Sequence, residues 1–371
     1  MDIDMHYHGT FALARAAGLK REVAETIAYA AQFVDDSTDA EGIDLDPSGA
    51  FCRAEVTAHH PADLPANRNL EDQRMVWVPF HFLPGGSGAE LTERLVCNKD
   101  SAIARTLVKH HLDQAERSYA VELIGVLAHV YADTFAHYGF SGVSSRHNMV
   151  LSDQIQLQCS GDVVANYLGP RVLKFFKERN RTDILVENFR KLFSATAEAL
   201  SGALGHGAVA VYPDQPYLTW QFHYEHDYPA NRIRTVVRNN TKDFMDASRA
   251  LHELFRQFVQ RRPKLSDGSV QRDWDQLKGP VEAVLRTEGD IPVRNAAWQK
   301  ALIDGKITGK TEPALAPYSP RTWYDQRPRM AKKLSTGGIG EFPLYRFYQA
   351  ASYHRHFVLR DLLPAYNINV I

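Results

Sequence analysis

Residues 129–137 read His-Val-Tyr-Ala-Asp-Thr-Phe-Ala-His and place His129, Asp133 and His137 at intervals of four in a strongly apolar stretch. An α-helix turns about 100° per residue, so side chains four positions apart lie above one another on one face. Continuing that face towards the N-terminus reaches Glu122. Because the other faces are apolar as well, the pattern predicts a helix that is buried on nearly all sides.

A buried polar group is costly unless it has a partner, and a divalent metal would satisfy several such groups at once. His129, Asp133 and His137 are therefore candidate metal ligands, with zinc as the first choice and manganese or iron as alternatives. A buried hydrogen-bond network is the other interpretation, and for a single His–Asp pair it would be preferred. Three consecutive ligand-type residues on one buried face favour the metal.

The first eight residues, Met-Asp-Ile-Asp-Met-His-Tyr-His, supply a second group of candidates. In an extended segment alternate side chains point the same way, which would put Asp4, His6 and His8 on one side. His6 and His8 are therefore candidate metal ligands. A solvated chain terminus would account equally well for residues of these types.

Two carboxylates, Asp35 and Asp36, close a helix that ends Ala-Gln-Phe-Val-Asp-Asp. Paired carboxylates can coordinate divalent ions or accept a proton from an attacking water, so both are candidate ligands. Asp36 and Glu122 are the candidate proton acceptors. The alternative for the pair is simply the start of an acidic loop.

Among the remaining histidines, His147 lies ten residues beyond His137, after a Phe-Ser-Gly turn, and could return to the same site as a ligand. His81 and His354 stand among apolar residues, and such histidines are more often hydrogen-bonded within a core. No Gly-rich phosphate loop, GxSxG elbow or HExxH motif is present.

The composition is that of an ordinary globular protein: 371 residues, 44% hydrophobic, 23% charged, with a formal net charge of −1. This balance gives no strong indication of nucleic-acid binding. No stretch is long enough to span a membrane, and nothing in the sequence specifies an oligomeric state. The three cysteines are far apart and the opening residues lack the features of a secretory signal. The sequence therefore predicts a cytoplasmic protein, and the predicted metal site favours a small-molecule substrate.

The pattern predicts a mainly α fold, with many helices in a single domain spanning 1–371, long loops and at most a minor β element. Residues 74–83 have extended character, and Pro79 restricts them to an edge strand or a loop. Residues 263–340 are richer in Pro, Gly and charge and predict loops with short helices. Helices are predicted at about 10–34 with a break at Gly18, 101–111, 113–137, 161–177, 184–204, 241–261, 281–286, 296–303 and 342–363.

With these motifs identified, the chain resembles an uncharacterised bacterial family that combines three of them. That family begins with an Asp-x-Asp-x-His-like segment, has an Ala-Gln-Phe-Val-Asp-Asp-like helix end, and carries a His-x-x-x-Asp-x-x-x-His helix followed by Phe-Ser-Gly. More distantly, the arrangement is similar to the zinc-dependent phospholipase C and single-strand nuclease superfamily. Those proteins are all-α enzymes that hydrolyse phosphate esters with a zinc cluster.

The resemblance to that superfamily implies a ligand role for several residues. His129 and Asp133 match its His-x-x-x-Asp helix, His137 and His147 match later histidines, and the earlier ligands would come from Asp35, Asp36, His6 and His8. The superfamily also uses the amine of an N-terminal Trp exposed by signal cleavage, whereas this chain starts with Met1 and shows no signal. Its closing His-x-x-x-Glu motif has no counterpart near His147.

Two other hydrolase families share only part of this pattern. HD-domain phosphohydrolases need an adjacent His-Asp dyad, which the central helix lacks. Amidohydrolases share the string Asp4-Met-His6-Tyr-His8 but need a barrel of eight strands and helices. The sequence therefore predicts a metal-dependent hydrolase, with a phosphoester ahead of an amide as substrate. The alternative is a non-catalytic helical protein with a buried His/Asp network or a closed structural metal site.

Overall fold

The computed structural model describes residues 1–44, 51–59, 66–67, 69–163, 167–168, 204–226, 234–268, 270–333 and 338–370. Most of the helices predicted at about 161–177 and 184–204 lie outside the described residues. The described helices are α1 Thr10–Ala16, α2 Arg21–Asp36, α3 Leu70–Asp72, α4 Val78–Phe80, α5 Leu91–Arg94, α6 Ala102–Leu112, α7 Ala120–Ala136, α8 Gly161–Val163, α9 Asn240–Arg261, α10 Trp274–Leu285, α11 Ile291–Ile303, α12 Arg321–Tyr324, α13 Arg327–Lys333, α14 Pro343–Phe357 and α15 Leu363–Ala365.

Shorter π-helical and 3₁₀ segments join these helices. The π-helical segments are Asp4–Gly9, Gln73–Trp77 and Val358–Leu362, and the 3₁₀ turns are Arg146–Asn148, Gly207–Val209, Tyr212–Asp214, Pro263–Leu265 and Ile339–Glu341. A mainly α fold is confirmed. No helix among the described residues is both long enough and apolar enough to cross a bilayer.

Helix α7, predicted to be buried, lies at the middle of the fold. Helices α2, α6, α9 and α14 all pack against it, and every residue from Glu122 to Ala136 is buried. The helix begins later than predicted, at Ala120. Its C-terminus is held from outside, because Arg238 donates from Nη1 to the Ala136 carbonyl at 2.6 Å and from Nη2 to the Tyr138 carbonyl. Gly139, with φ +83°, then turns the chain away.

The minor β component is a small antiparallel sheet with the order β3 Val150–Gln158, β4 Thr219–Tyr224 and β5 Thr235–Asn239. Strands β4 and β5 pair in continuous register, with Trp220 opposite Arg238, whereas the β3–β4 register shifts between Leu151 and Gln156. A two-residue pair, β1 Ile43–Asp44 and β2 Phe51–Cys52, is separate. The sheet forms a second apolar cluster around Phe82, Phe140 and Trp220, next to the C-terminal end of α7.

Two local predictions are wrong. The N-terminal segment is π-helical over Asp4–Gly9 and not extended, so side chains two apart diverge around the axis. Residues 74–83, predicted as extended, are helical over Gln73–Trp77 and Val78–Phe80. Asn69 caps the start of that helical stretch, and Pro79 lies in the first turn of α4, where its missing N–H costs nothing.

The close approach of α2 and α7 depends on Gly125. A Cβ at this position would lie 2.5 Å from the Ala30 Cβ and 2.6 Å from the Ile27 carbonyl oxygen. Gly125→Ala is expected to push the two helices apart and lower the free energy of unfolding by about 1–3 kcal/mol. Urea unfolding measures the change, with Gly340→Ala, where a Cβ meets nothing, as the control. A Gly125→Ala protein as stable as the control would contradict this account of the packing.

Candidate metal centre

Asp133 is the centre of a buried polar cluster inside the helical bundle. Its Oδ1 accepts a hydrogen bond from the Met1 amine at 2.7 Å and lies 3.2 Å from His6 Nε2. Its Oδ2 lies 3.2 Å from His129 Nε2 and 3.6 Å from His81 Nδ1. That Oδ2 is buried and makes no hydrogen bond with the described residues. An ionised oxygen in this position calls for a cation.

Backbone carbonyls fix the orientation of three histidine rings around Asp133. His129 Nδ1 donates to the Ala31 carbonyl, His137 Nδ1 to the His81 carbonyl, and His81 Nε2 to the Thr57 carbonyl, each at 2.8 Å. A carbonyl can only accept, so in the neutral form of each imidazole, which is the form that binds a metal, the other ring nitrogen carries a lone pair. Metal-ligating histidines are held in this way in many proteins.

The lone pairs of two of these rings meet. His129 Nε2 and His81 Nδ1 are 3.2 Å apart, and both lie near Asp133 Oδ2. Asp35 Oδ1 lies 3.8 Å from each of the same two nitrogens. Nitrogen lone pairs and carboxylate oxygens that converge without a shared proton repel one another, and a divalent metal would reverse that repulsion.

His6 stacks on His129, with the ring centroids 3.9 Å apart, and neither of its nitrogens makes a hydrogen bond with the described residues. Burial, and then the charge of the Met1 amine, lower the pKa of His6 to about 4. Burial, and then His6, lower the pKa of His129 well below its usual value. Both rings are therefore neutral at pH 7, which is the form that binds metals.

A second group of ligand atoms adjoins the first. His137 Nε2 lies 3.3 Å from Asp214 Oδ1, and His206 Nε2 lies 3.9 Å from Asp214 Oδ2. His206 Nδ1 donates to the Ala210 carbonyl at 2.7 Å, so its Nε2 also carries a lone pair. Burial lowers the pKa of His206 to about 4.

The Met1 amine lies between the two groups. Besides Asp133 it contacts Asp214 Oδ1 and His137 Nε2, both at 3.4 Å. Burial lowers the pKa of this amine, but the carboxylates of Asp133, Asp214 and Asp35 outweigh burial and raise it to about 11. As an ammonium it neutralises part of the negative charge, and as a free amine it would be one more nitrogen ligand.

Three sets of side chains bring their ligand atoms within 4.8 Å of one another: His6, His129 and Asp133; Asp35, His81 and His129; and His137, His206 and Asp214. Asp35 is the most exposed member, with 32% of its side chain accessible, whereas His6, His129 and Asp133 are sealed from solvent. Access to the cluster is therefore on the Asp35 side.

Of the residues predicted from sequence, the structure brings together His6, Asp35, His129, Asp133 and His137. The other four lie elsewhere. In the π-helical N-terminal segment, His8 projects differently from His6 and packs edge-on against Tyr7. Asp36 Oδ2 accepts from Tyr318 at 2.8 Å and from Gln32 at 3.1 Å, beside the cluster but outside its three sets.

The remaining two predicted residues are farther from Asp133. Glu122 pairs with Arg346 at 2.7 Å, seven residues and about 10 Å along α7 from His129. His147 is buried in a 3₁₀ turn and interacts electrostatically with Glu93. Asp4 faces Arg294, its Oδ2 lying 3.6 Å from the guanidinium Nε.

Four members of the cluster were missed or misread from sequence. His81 has the apolar neighbours of a core histidine, and nothing in its spacing connects it to α7. His206 directly precedes one 3₁₀ turn and Asp214 ends another, and the α-amino group of Met1 has no side-chain signature at all. Only the tertiary fold brings these groups to Asp133.

Comparison with known proteins gives a family and no activity. Residues 1–362 match the model of a family of unknown function (DUF6765), and the chain belongs to that family. No curated protein and no solved structure matches the chain.

Proposed function

We propose that this chain is a metal-dependent hydrolase whose substrate is a phosphoester. The observation that carries the proposal is the orientation of the histidine rings. His81 and His129 each use their N–H on a backbone carbonyl and bring the remaining lone pairs to 3.2 Å, beside the unbonded Oδ2 of Asp133. A hydrogen-bond network would place a proton at that contact, whereas this arrangement suits a cation.

The nitrogen and carboxylate ligands fit zinc first, with manganese or iron as alternatives. One ion would be held by His6, His129 and Asp133, with His81 and Asp35 completing its surroundings. A second would be held by His137, His206 and Asp214. Two adjacent ions are the arrangement found in many phosphatases and nucleases, which supports a phosphoester over an amide. The distant resemblance to zinc-dependent phospholipases and nucleases points the same way.

A metal bound in this cluster would make a water acidic at neutral pH and neutralise negative charge on the phosphoryl oxygens. The protein would contribute rigid ligands and a proton acceptor on the accessible side. Asp35 suits the second role, because it is the most exposed member of the cluster and lies 3.8 Å from the nearest nitrogens of His81 and His129. Asp36, held by Tyr318, stands directly behind Asp35, whereas the ion pair with Arg346 makes Glu122 a weaker candidate.

A second candidate function is supported by the Met1 amine. Its contacts with Asp133 and Asp214 already supply one positive charge to the cluster. In that case the cluster is a structural network, with the ammonium as its cation and no position for a substrate. The two candidates differ in whether the protein binds a divalent metal.

The decisive test is elemental mass spectrometry of the purified protein beside a His129→Ala/Asp133→Ala double variant. We expect about one or two equivalents of zinc, manganese or iron in the native protein, and loss of the metal in the variant. The loaded protein is then assayed on phosphate mono- and diesters. His252→Ala, which removes a buried histidine away from the cluster, is the matched control and should retain the metal.

Circular dichroism of each variant shows whether it is folded, so that loss of metal is not confused with loss of structure. If the native protein contains no metal, and takes up none when incubated with zinc, manganese or iron, the structural network is the better account.

A further inference from the structure

A cleft of about 200 Å³ opens on the surface between residues 53–55 and the end of α14. Its floor is formed by the buried residues Glu55 and Leu359, and its rim by the exposed side chains of Arg53, His356 and Arg360. Arg355 lies between floor and rim, and Met75 and Ser352 complete the lining. None of these residues belongs to the three ligand sets around Asp133.

Positive charge in this cleft exceeds negative charge by two. Arg53, Arg355 and Arg360 carry three guanidinium groups, whereas Glu55 is the only carboxylate among the described residues of the lining. Glu55 Oε2 accepts from Arg355 Nη1 at 2.8 Å and so compensates one of the three. Arg53 and Arg360 form no ion pair with any described residue.

The Arg355 guanidinium is fixed in place and only partly satisfied. Its Nη2 donates to the Val56 carbonyl, and its charge lies 5.2 Å from the centre of the Phe80 ring. Its Nε is buried and makes no hydrogen bond with the described residues. Burial, together with repulsion from Arg53, lowers the pKa of this guanidinium, because Glu55 does not fully offset them. An anion in the cleft would supply the missing negative charge.

We propose that this cleft binds the dianionic phosphoryl group of inorganic phosphate or of a phosphate monoester. The excess of two positive charges matches the charge of about −1.5 to −2 that such a group carries at pH 7. Guanidinium groups donate paired N–H groups to phosphate oxygens. A cleft of this size is below the range of about 300–1,000 Å³ typical of larger ligands, and so suits a small anion.

The short segment 53–57 connects the cleft with the His/Asp cluster, because its first residues line the cleft and its last contacts the cluster. Arg355 holds the Val56 carbonyl, and the next carbonyl, that of Thr57, accepts the hydrogen bond that orients His81. The two sites are therefore close along the chain but chemically separate, and each can be removed without substituting a residue of the other.

The test is isothermal titration calorimetry of the full chain with inorganic phosphate, after removal of metals with a chelator. We expect one site with a Kd below about 1 mM, and an Arg53→Gln/Arg360→Gln double variant that binds at least tenfold more weakly, since each charged hydrogen bond contributes about 1.5–3 kcal/mol. Both arginines are exposed, so their loss should leave the fold intact. Arg286→Gln, an exposed arginine elsewhere, is the matched control and should bind phosphate like the native protein.

A further titration identifies the ligand, and the removal of metals identifies the location. A titration with phenyl phosphate compares a phosphate monoester with free phosphate. The one that binds more tightly is identified as the source of the phosphoryl group. Because the metals are removed beforehand, binding of phosphate under these conditions separates this cleft from the metal cluster. The proposal is overturned if phosphate does not bind, if the double variant binds it as the native protein does, or if acetate binds equally tightly at the same arginines.

Discussion

Asp133→Asn is expected to reduce metal affinity by at least about 100-fold and to bring phosphoester hydrolysis down with it. The substitution keeps the size of the side chain but removes the charge that faces His6, His129 and the Met1 amine. Burial raises the pKa of Asp133, but the His137 ring and the Met1 amine outweigh it and hold that pKa well below the usual range. The native carboxylate is therefore ionised at neutral pH.

The same substitution should also destabilise the metal-free protein, by about 3–5 kcal/mol, because it leaves the buried Met1 ammonium without its nearest carboxylate. Metal loss must therefore be separated from instability. Glu312→Gln is the matched control, since Glu312 is a buried carboxylate paired with Arg15 at 2.5 Å, outside the three ligand sets. It should lose comparable stability in urea unfolding and yet retain the metal. If Glu312→Gln loses the metal as well, or Asp133→Asn keeps it, the assignment of Asp133 as a ligand fails.

The part of the site on α7 could be predicted from sequence because helical geometry alone fixes it. His129, Asp133 and His137 share one face whatever the helix packs against, and the apolar residues between them require burial. The same reasoning applies to the break at Gly18, where φ is +99° and α1 gives way to α2. For these two features local rules were sufficient, because neither depends on contacts with distant parts of the chain.

The N-terminal segment shows how a wrong local prediction affects a site. As an extended segment it would have delivered both His6 and His8 to the metal. As a π-helical turn it delivers His6 to Asp133 and sends His8 towards Tyr7, because residues two apart point in very different directions around a helix. Packing against α2 and α11 accompanies this helical form, and no sequence period reveals such contacts.

The rest of the cluster depends on contacts between distant parts of the chain. His81 is separated from His129 by 48 residues, and Asp214 from His137 by 77. His81 is oriented by the carbonyl of Thr57, which belongs to a loop, and Asp214 lies in a short 3₁₀ turn. Backbone carbonyls have no sequence signature, so the groups that turn these side chains inward could not be identified before the fold was known.

Acidification is expected to destabilise the protein strongly through His111 and His354, a buried histidine pair that lies apart from the metal cluster. His354 Nε2 donates to the Pro79 carbonyl at 2.8 Å, so its Nδ1 accepts from His111 Nε2 at 3.0 Å. Burial, assisted by the charge of Arg355, lowers the pKa of His354 to about 4, although the hydrogen bond to the Pro79 carbonyl acts to raise it. Burial, and then His354, lower the pKa of His111 well below its usual value.

The direction of the effect follows from these shifts. Because the folded-state pKa of His354 lies below its value of about 6.5 in the unfolded chain, the unfolded state binds more protons as the pH falls. The contribution of His354 is therefore intact above pH 6.5 and is lost progressively between about pH 6.5 and pH 4. For this one residue the loss at pH 5, relative to pH 7.5, is about 2 kcal/mol of unfolding free energy.

Urea unfolding at pH 7.5 and at pH 5, in the presence of a chelator, measures this loss in the native protein and in His354→Gln. The variant should be less stable at pH 7.5, since it disturbs a buried hydrogen-bonded pair, but it should lose about 2 kcal/mol less on acidification. His356→Gln, an exposed neighbour on the same helix, should follow the native protein at both pH values. An equal loss in all three proteins would mean that His354 titrates normally in the fold. The acid sensitivity would then have to come from other histidines whose pKa values burial lowers, such as His6, His8, His111, His129, His206 and His252.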